Sequence, residues 1–236
     1  ALFSGTNKRL QQSPTIRERT ANAFSEFLET RYGDETAWRD AWGPDAVIED
    51  PKQIGNPHLA NLVEPDKVVG ELEGESFTEK SIVPWTNPWF FDAALTEGSE
   101  QTFLRRRMLD TMAFLYDLQN AFYERFIESI RRTGFEGEIV TSNWQAGSLA
   151  GHLLNLHTDV RTGLVDRHNY YKGGGFHGLR EGVAFNSAST LSRPGGGNYT
   201  VAFQQVEGAA FMLSEWTHEQ PNEWYAEGPI TLGAYG

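Results

Sequence analysis

Apolar positions recur at helical spacing along several stretches of this 236-residue chain. After Ser13-Pro14, the residues Ile16, Thr20, Ala23, Phe24, Phe27 and Leu28 step by three or four, with charges between them. A serine can cap the free N–H groups of a first turn, and proline suits the first helical position. The spacing therefore predicts a helix that stops near Tyr32-Gly33. A second, short helix is predicted from Asp34 to Trp42, ending at Gly43-Pro44. The clearest stripe is Leu104, Met108, Met112, Leu115, Leu118, Phe122, Phe126 and Ile130. It predicts one long amphipathic helix from about Ser99 to Thr133, ended by Gly134. Leu149 to Leu156 reads as another short helix.

Between these elements the pattern differs. From 43 to about 98 no long period survives, and Pro44, Pro51, Pro57, Pro65, Pro84 and Pro88 interrupt the chain. Such a length without regular structure is uncommon in a compact domain, so it is read as short helical turns or a functional insert. Its aromatic end, Trp85 to Phe91, either packs the insert down or walls a cleft. Beyond Gly134 the rhythm becomes that of short buried strands with polar tips. Glu138–Trp144, Gly163–Tyr170 and Ala209–Trp216 each run from apolar to polar, and Pro229–Tyr235 is a candidate fourth. Val201–Gln205 is a strand or a helix start. Gly173–Gly175 and Pro194–Gly197 are loops.

Apolar strands alternating with helices imply parallel β/α units. Polar residues at the C-terminal strand tips match the layout of a (β/α)8 barrel, although an open doubly wound sheet would give similar strings. Three or four strands are legible where a barrel needs eight. The expectation is thus a TIM-barrel type α/β fold, incomplete, mostly its C-terminal half. One partial catalytic domain would span 1–236 with the loop-rich insert at 43–98. The chain opens on Ala1 rather than Met, which is read as a processed, trimmed or partial chain.

The net charge of −12 argues against nucleic acid and anionic membranes as partners. The absence of cysteine excludes disulfides, Cys-ligated zinc and a thiol nucleophile. No G-x-S-x-G elbow and no phosphate-binding glycine loop is present. His152, His157 and Asp159 lie close in sequence, but a five-residue step does not stack on one helix face, and no metal or cofactor is expected. The carboxylates carry the remaining chemistry. Glu215 ends a strongly apolar strand, where a carboxylate is costly unless paired or facing a cavity. It is the best catalytic candidate. Asp166, His168 and Tyr170 should share one side of their strand, with Arg167 and Asn169 on the other. Asn143 and Trp144 form a third tip, where an indole can stack on the apolar face of a sugar. Trp216 adjoins Glu215.

Phe24 to Gly33, followed by Ala37-Trp38 and Ala41-Trp42-Gly43, resembles the Arg-Tyr-Gly…Ala-Trp-Gly block of clan A glycoside hydrolases, the family 42 β-galactosidases and agarase-like relatives in particular. Val140–Trp144, Asp166–Tyr170, Met212–Glu215 and Leu232–Gly236 resemble, in order, the fifth to eighth strand regions of that clan. The resemblance implies a retaining hydrolase of a β-linked glycan, galactose-containing glycans included, with Glu215 as nucleophile. Asp166, His168, Tyr170, Asn143, Trp144 and Trp216 would line the sugar site. The clan's acid/base glutamate would fall near Asn7-Lys8, and a lysine cannot act as that carboxylic acid. Either the matching is wrong there, or the acid lies in sequence absent from this chain, or the chain is not a competent hydrolase alone. The alternatives are a non-catalytic carbohydrate-binding remnant and a half-barrel that needs another chain or segment to close it.

Overall fold

A computed structural model describes residues 10, 12–50, 74–84, 95–143, 149–171, 181–182, 184, 187–192, 204–218 and 220–235. The chain divides into two compact units. The first comprises Ala1–Ile130 and Ala146–Asn155, the second Arg131–Gln145 and Leu156–Gly236.

The first unit is helical. Helix α1 (Pro14–Tyr32) opens with Ser13 accepting from the Ile16 N–H, and Gly33 closes it at φ 85°. That left-handed backbone is cheap only for glycine. Helix α2 (Glu35–Trp42) is capped by Asp34, whose carboxylate accepts from the Ala37 N–H at 2.9 Å. A 3-10 turn at Thr102–Leu104 leads into α3 (Arg105–Arg131), which ends before Gly134. The helices fall where the stripes predict, but the stripe of α3 reaches the core only in its first half: Leu118, Phe122 and Phe126 are exposed. Their apolar faces meet in one core of Phe24, Leu28, Trp38, Trp42, Met108, Met112, Phe114 and Leu115, joined by Ile82 and Val83 from the loop-rich stretch. Phe24 lies 5.0 Å from Phe114 between ring centroids, and Trp38 packs edge-on against Trp42 at 5.2 Å. Each such buried side chain contributes about 1.5–3 kcal/mol. Within the 43–98 stretch, the described residues form a 3-10 turn at Pro44–Ala46 and short turns around 77–80. The Trp85–Phe91 cluster lies outside the described residues.

In the second unit, β1 (Leu164–Tyr171) pairs in parallel with β2 (Ala210–His218). Helix α4 (Leu149–Val160), longer than predicted and divided between the units, precedes β1. Helix α5 (Glu227–Tyr235) follows β2.

The (β/α)8 expectation is corrected here. Among the described residues there are five α-helices and a single two-stranded parallel sheet. This is a small, mostly helical α/β arrangement. Residues 138–143 carry strand-like composition but pair with no strand among the described residues. Pro229–Tyr235 is helix rather than a fourth strand, with Pro229 in the first turn where its missing N–H costs nothing. Short apolar runs do not distinguish a strand from a buried helical segment, and that ambiguity produced the surplus strands. Of Val201–Gln205, Gln204 belongs to a 3-10 turn and 201–203 lie outside the described residues, as do both glycine-rich loops. Among the described residues, no helix is long and apolar enough to cross a membrane.

Candidate active site at the tips of the paired strands

The sheet has one irregularity, and it decides where Glu215 points. Arg167 pairs with Leu213 but His168 pairs with Glu215, so Ser214 is passed over as a bulge in β2. In an unbroken register Ser214 would oppose His168, and Glu215 would face the other side of the sheet with Asn169. A one-residue slip flips every later side chain, so the bulge brings Glu215 to the face of His168 and Tyr170.

Asp166 holds the bulge. Its Oδ1 accepts the Ser214 backbone N–H at 2.9 Å, the donor that the bulge removes from regular pairing. Its Oδ2 accepts the Ser214 hydroxyl at 2.6 Å. Asp166 is almost fully buried, and these two bonds compensate for burying its carboxylate.

The other polar side chains converge on this point. His168 Nε2 lies 2.9 Å from Ser214 Oγ and 2.9 Å from the Asn143 side-chain amide. His168 Nδ1 lies 3.4 Å from Glu215 Oε2 and 3.5 Å from the Tyr170 hydroxyl. The Tyr170 hydroxyl donates to Glu215 Oε2. Glu215 itself is 54% exposed, within reach of a ligand.

Glu215, His168, Tyr170, Asn143 and Asp166, all predicted site residues, are thus brought together. Trp144 lies outside the described residues, as does Lys8. Trp216 is placed apart from this group. A Cβ built on Gly228 of α5 would stand 2.5 Å from His218 Nδ1 and 3.4 Å from Trp216 Nε1, so both rings face α5 instead. Any side chain at Gly228 would collide with His218.

Two further groups support the site, and the sequence gives no signal for either. Ser214 looks like an ordinary strand residue, because a bulge has no local signature. Beneath β1, buried Arg167 donates to Asp159 Oδ2 at 2.8 Å, Gln204 Oε1 at 2.5 Å and the Asp166 carbonyl at 2.6 Å. Asp159 also accepts from the Thr141 hydroxyl at 3.2 Å, which ties the 138–143 stretch to this network two residues from Asn143.

Beyond the end of β2 lies an open groove of about 690 Å³, lined by Ser187, Gln220, Pro221, Asn222, Glu223 and Tyr225. Asn222 and Ser187 are engaged in holding the loop: the Asn222 amide donates to the Ala188 carbonyl, and Ser187 Oγ accepts the Glu223 N–H. Among the described residues, no group of three or more His, Asp or Glu is arranged to hold a metal ion.

Ser214, His168 and Glu215 share the connectivity of a nucleophile, base and orienting acid. The Ser214 hydroxyl hydrogen, however, goes to Asp166, not to the imidazole. A serine so engaged is a link in the scaffold, and the exposed carboxylate of Glu215 is the candidate for chemistry.

Compared with protein-family models, curated proteins and solved structures, the chain matches none.

Proposed function

We propose that the strand tips form the nucleophile side of a retaining glycoside hydrolase acting on a β-linked glycan, with Glu215 as nucleophile. The observation that carries this reading is the donation from Tyr170 to Glu215 Oε2, with His168 beside the same oxygen. A hydrogen bond to a carboxylate favours its ionised form and fixes its rotamer. One oxygen is thereby anchored, and Oε1 is left to attack an anomeric carbon. The bond formed is an ester between Glu215 and the sugar, and the aglycone oxygen leaves with its electron pair. A second carboxylic acid, about 5–5.5 Å away in enzymes of this type, would protonate that oxygen. Asp166 does not fill that role, since both its oxygens are occupied by Ser214. Asn143 and His168 would contact sugar hydroxyls.

The reading needs the two carboxyl groups and a sugar site, and it does not depend on an eight-stranded barrel. Its test is turnover of an aryl β-glycoside with a good leaving group, which relieves the need for the acid. Glu215→Gln is expected to abolish turnover while retaining sugar binding, because the amide is nearly isosteric but a poor nucleophile. Azide should rescue Glu215→Ala and give a glycosyl azide of inverted anomeric configuration. Unchanged turnover in Glu215→Gln would remove Glu215 from the mechanism. Saturable glycan binding by the unaltered chain with no turnover would replace the hydrolase reading with the carbohydrate-binding one.

A further inference from the structure

We propose that Asp166 and Ser214 are positioning residues that set the direction of a hydrogen-bond relay, fixing the proton of His168 on Nε2 and presenting Nδ1 to the Glu215–Tyr170 pair. The relay follows from geometry alone; its consequence for catalysis rests on the glycoside hydrolase reading.

A carboxylate accepts hydrogen bonds and donates none. Both oxygens of Asp166 receive hydrogens from Ser214, one from its N–H and one from its hydroxyl. A serine has a single hydroxyl hydrogen, and at 2.6 Å from Asp166 Oδ2 it is spent. Ser214 Oγ therefore meets His168 Nε2, 2.9 Å away, with lone pairs only. Two lone pairs do not share that distance, so Nε2 must carry the hydrogen. Asn143 Nδ2 stands 2.9 Å from the same nitrogen; an NH₂ group cannot accept, so an Nε2–H requires the Asn143 amide turned over to present its oxygen to the ring.

The far side of the ring is then determined. In the neutral imidazole Nδ1 then carries no hydrogen and receives none: the Tyr170 hydroxyl, 3.5 Å away, gives its hydrogen to Glu215 Oε2, itself 3.4 Å away, and both distances are longer than a hydrogen bond requires. Any second proton must land on Nδ1, against the carboxylate that becomes an ester when a sugar is attached. The buried acid of β1 thus controls which face of His168 the nucleophile sees, without touching the nucleophile. With the opposite tautomer, an Nδ1–H would compete with Tyr170 for the same Glu215 oxygen in every state of the cycle.

Asp166→Asn tests the direction of the relay. The amide is nearly isosteric, but its NH₂ can donate to Ser214 Oγ, which releases the serine hydrogen toward His168. The ring should then shift its proton to Nδ1. Ser214→Ala removes the link altogether and leaves Asp166 the Ser214 backbone N–H, so its fold is checked by circular dichroism beside the tautomer measurement. Ser214→Thr restores a hydroxyl. The measurement is the tautomer of His168 in ¹⁵N-histidine-labelled protein, read by long-range ¹H–¹⁵N correlation above the titration range. His168→Gln assigns the signal among the six histidines.

The expected result is Nε2–H in the unaltered protein and in Ser214→Thr, with Nδ1–H or a mixture in Asp166→Asn and Ser214→Ala. An Nδ1–H tautomer in the unaltered protein, or one tautomer in all four, would overturn the relay. Aryl glycoside turnover supplies the second arm: Ser214→Ala should lower kcat with little change in KM, and Ser214→Thr should recover it. A switched tautomer with unchanged kcat would overturn the catalytic consequence and leave the relay intact.

Discussion

Among the described residues, the two units differ in how much apolar surface accompanies their buried polar groups. In the first, a continuous apolar core packs beside buried polar residues, the charged Arg17, Glu75, Arg107 and Asp110 among them. Arg107 is fully buried, forks onto Glu75 at 2.6 and 2.7 Å, and lies 4.9 Å from the centre of the Trp42 ring. In the second, the buried residues are Thr158, Asp159, Asp166, Arg167, Thr190, Gln204, His218, Asn222 and Thr231, and Val165 is the one buried aliphatic among the described residues. An apolar interior draws its stability from area removed from water and tolerates shape-preserving change. A polar interior has little of that to draw on. It holds its geometry by hydrogen-bond partners, each of which must be present. Among the described residues, the unit whose buried side chains are mostly polar is the one carrying the candidate site, where fixed direction matters more than burial.

The largest expected effect tests the first half of that contrast. Arg107 donates to Glu75, to the Ala46 carbonyl at 2.7 Å and to the Val83 carbonyl at 3.0 Å, while Glu75 also accepts the Ile48 N–H. One ion pair thus fastens two loop segments, 43–50 and 74–84, to α3. Arg107→Met leaves Glu75 charged and buried in an apolar shell, and should cost about 3–5 kcal/mol in urea unfolding. Phe24→Ala, in the same core, should cost about 3–5 kcal/mol through the cavity it leaves. A loss under about 1 kcal/mol in both would mean that this core does not dominate the unit's stability.

Val165→Ala gives the matching measurement in the second unit. Two methyl groups are lost, worth about 2 kcal/mol. If that unit rests on polar partners, the substitution should shift its own transition and leave the first unit's melt in place, as read by hydrogen exchange. A loss as large as that of Phe24→Ala would break the comparison.

The same division governed what could be read from sequence. Helices α1, α2 and α3 have apolar stripes, caps at Ser13 and Asp34, and stops at Gly33 and Gly43, and each appears within a few residues of its predicted place. Apolar period and capping chemistry are local, so they are visible in the chain. The members of the candidate site were legible as neighbours: Glu215, His168, Tyr170, Asn143 and Asp166 lie together. What held them was not legible. The Ser214 bulge, the Arg167–Asp159–Gln204 network and the turn of Trp216 toward Gly228 arise from contacts between distant segments. The barrel expectation failed for the related reason that a strand is defined by a partner. Residues 138–143 have the composition of a strand and no partner strand among the described residues.

The smallest expected effect concerns acid. His218 is almost fully buried, and burial holds its imidazole below the ordinary 6.5, with the Glu227 carboxylate working the other way. The folded chain then binds fewer protons than the unfolded chain between the lowered value and 6.5. Stability from this group is full above pH 6.5 and is lost as pH falls through the lowered value. Glu227 adds a second, more acidic stage. Burial disfavours its charge, but the Ser189 and Thr190 hydroxyls and the Thr190 N–H outweigh that and hold its carboxyl below the ordinary 4.5. In the first unit Glu35 is likewise held low, against burial, by Arg39 and the Phe77 N–H, so only the lower stage operates there among these groups. The second unit should therefore begin to loosen at a higher pH than the first. His218→Leu cannot titrate and should flatten the fall in melting temperature between pH 7 and pH 5. Acid also relieves the repulsion of a chain with net charge −12, so the quantity to read is the difference between variant and unaltered protein. An unchanged slope in His218→Leu would show that the buried imidazole is not what makes the polar interior sensitive to acid.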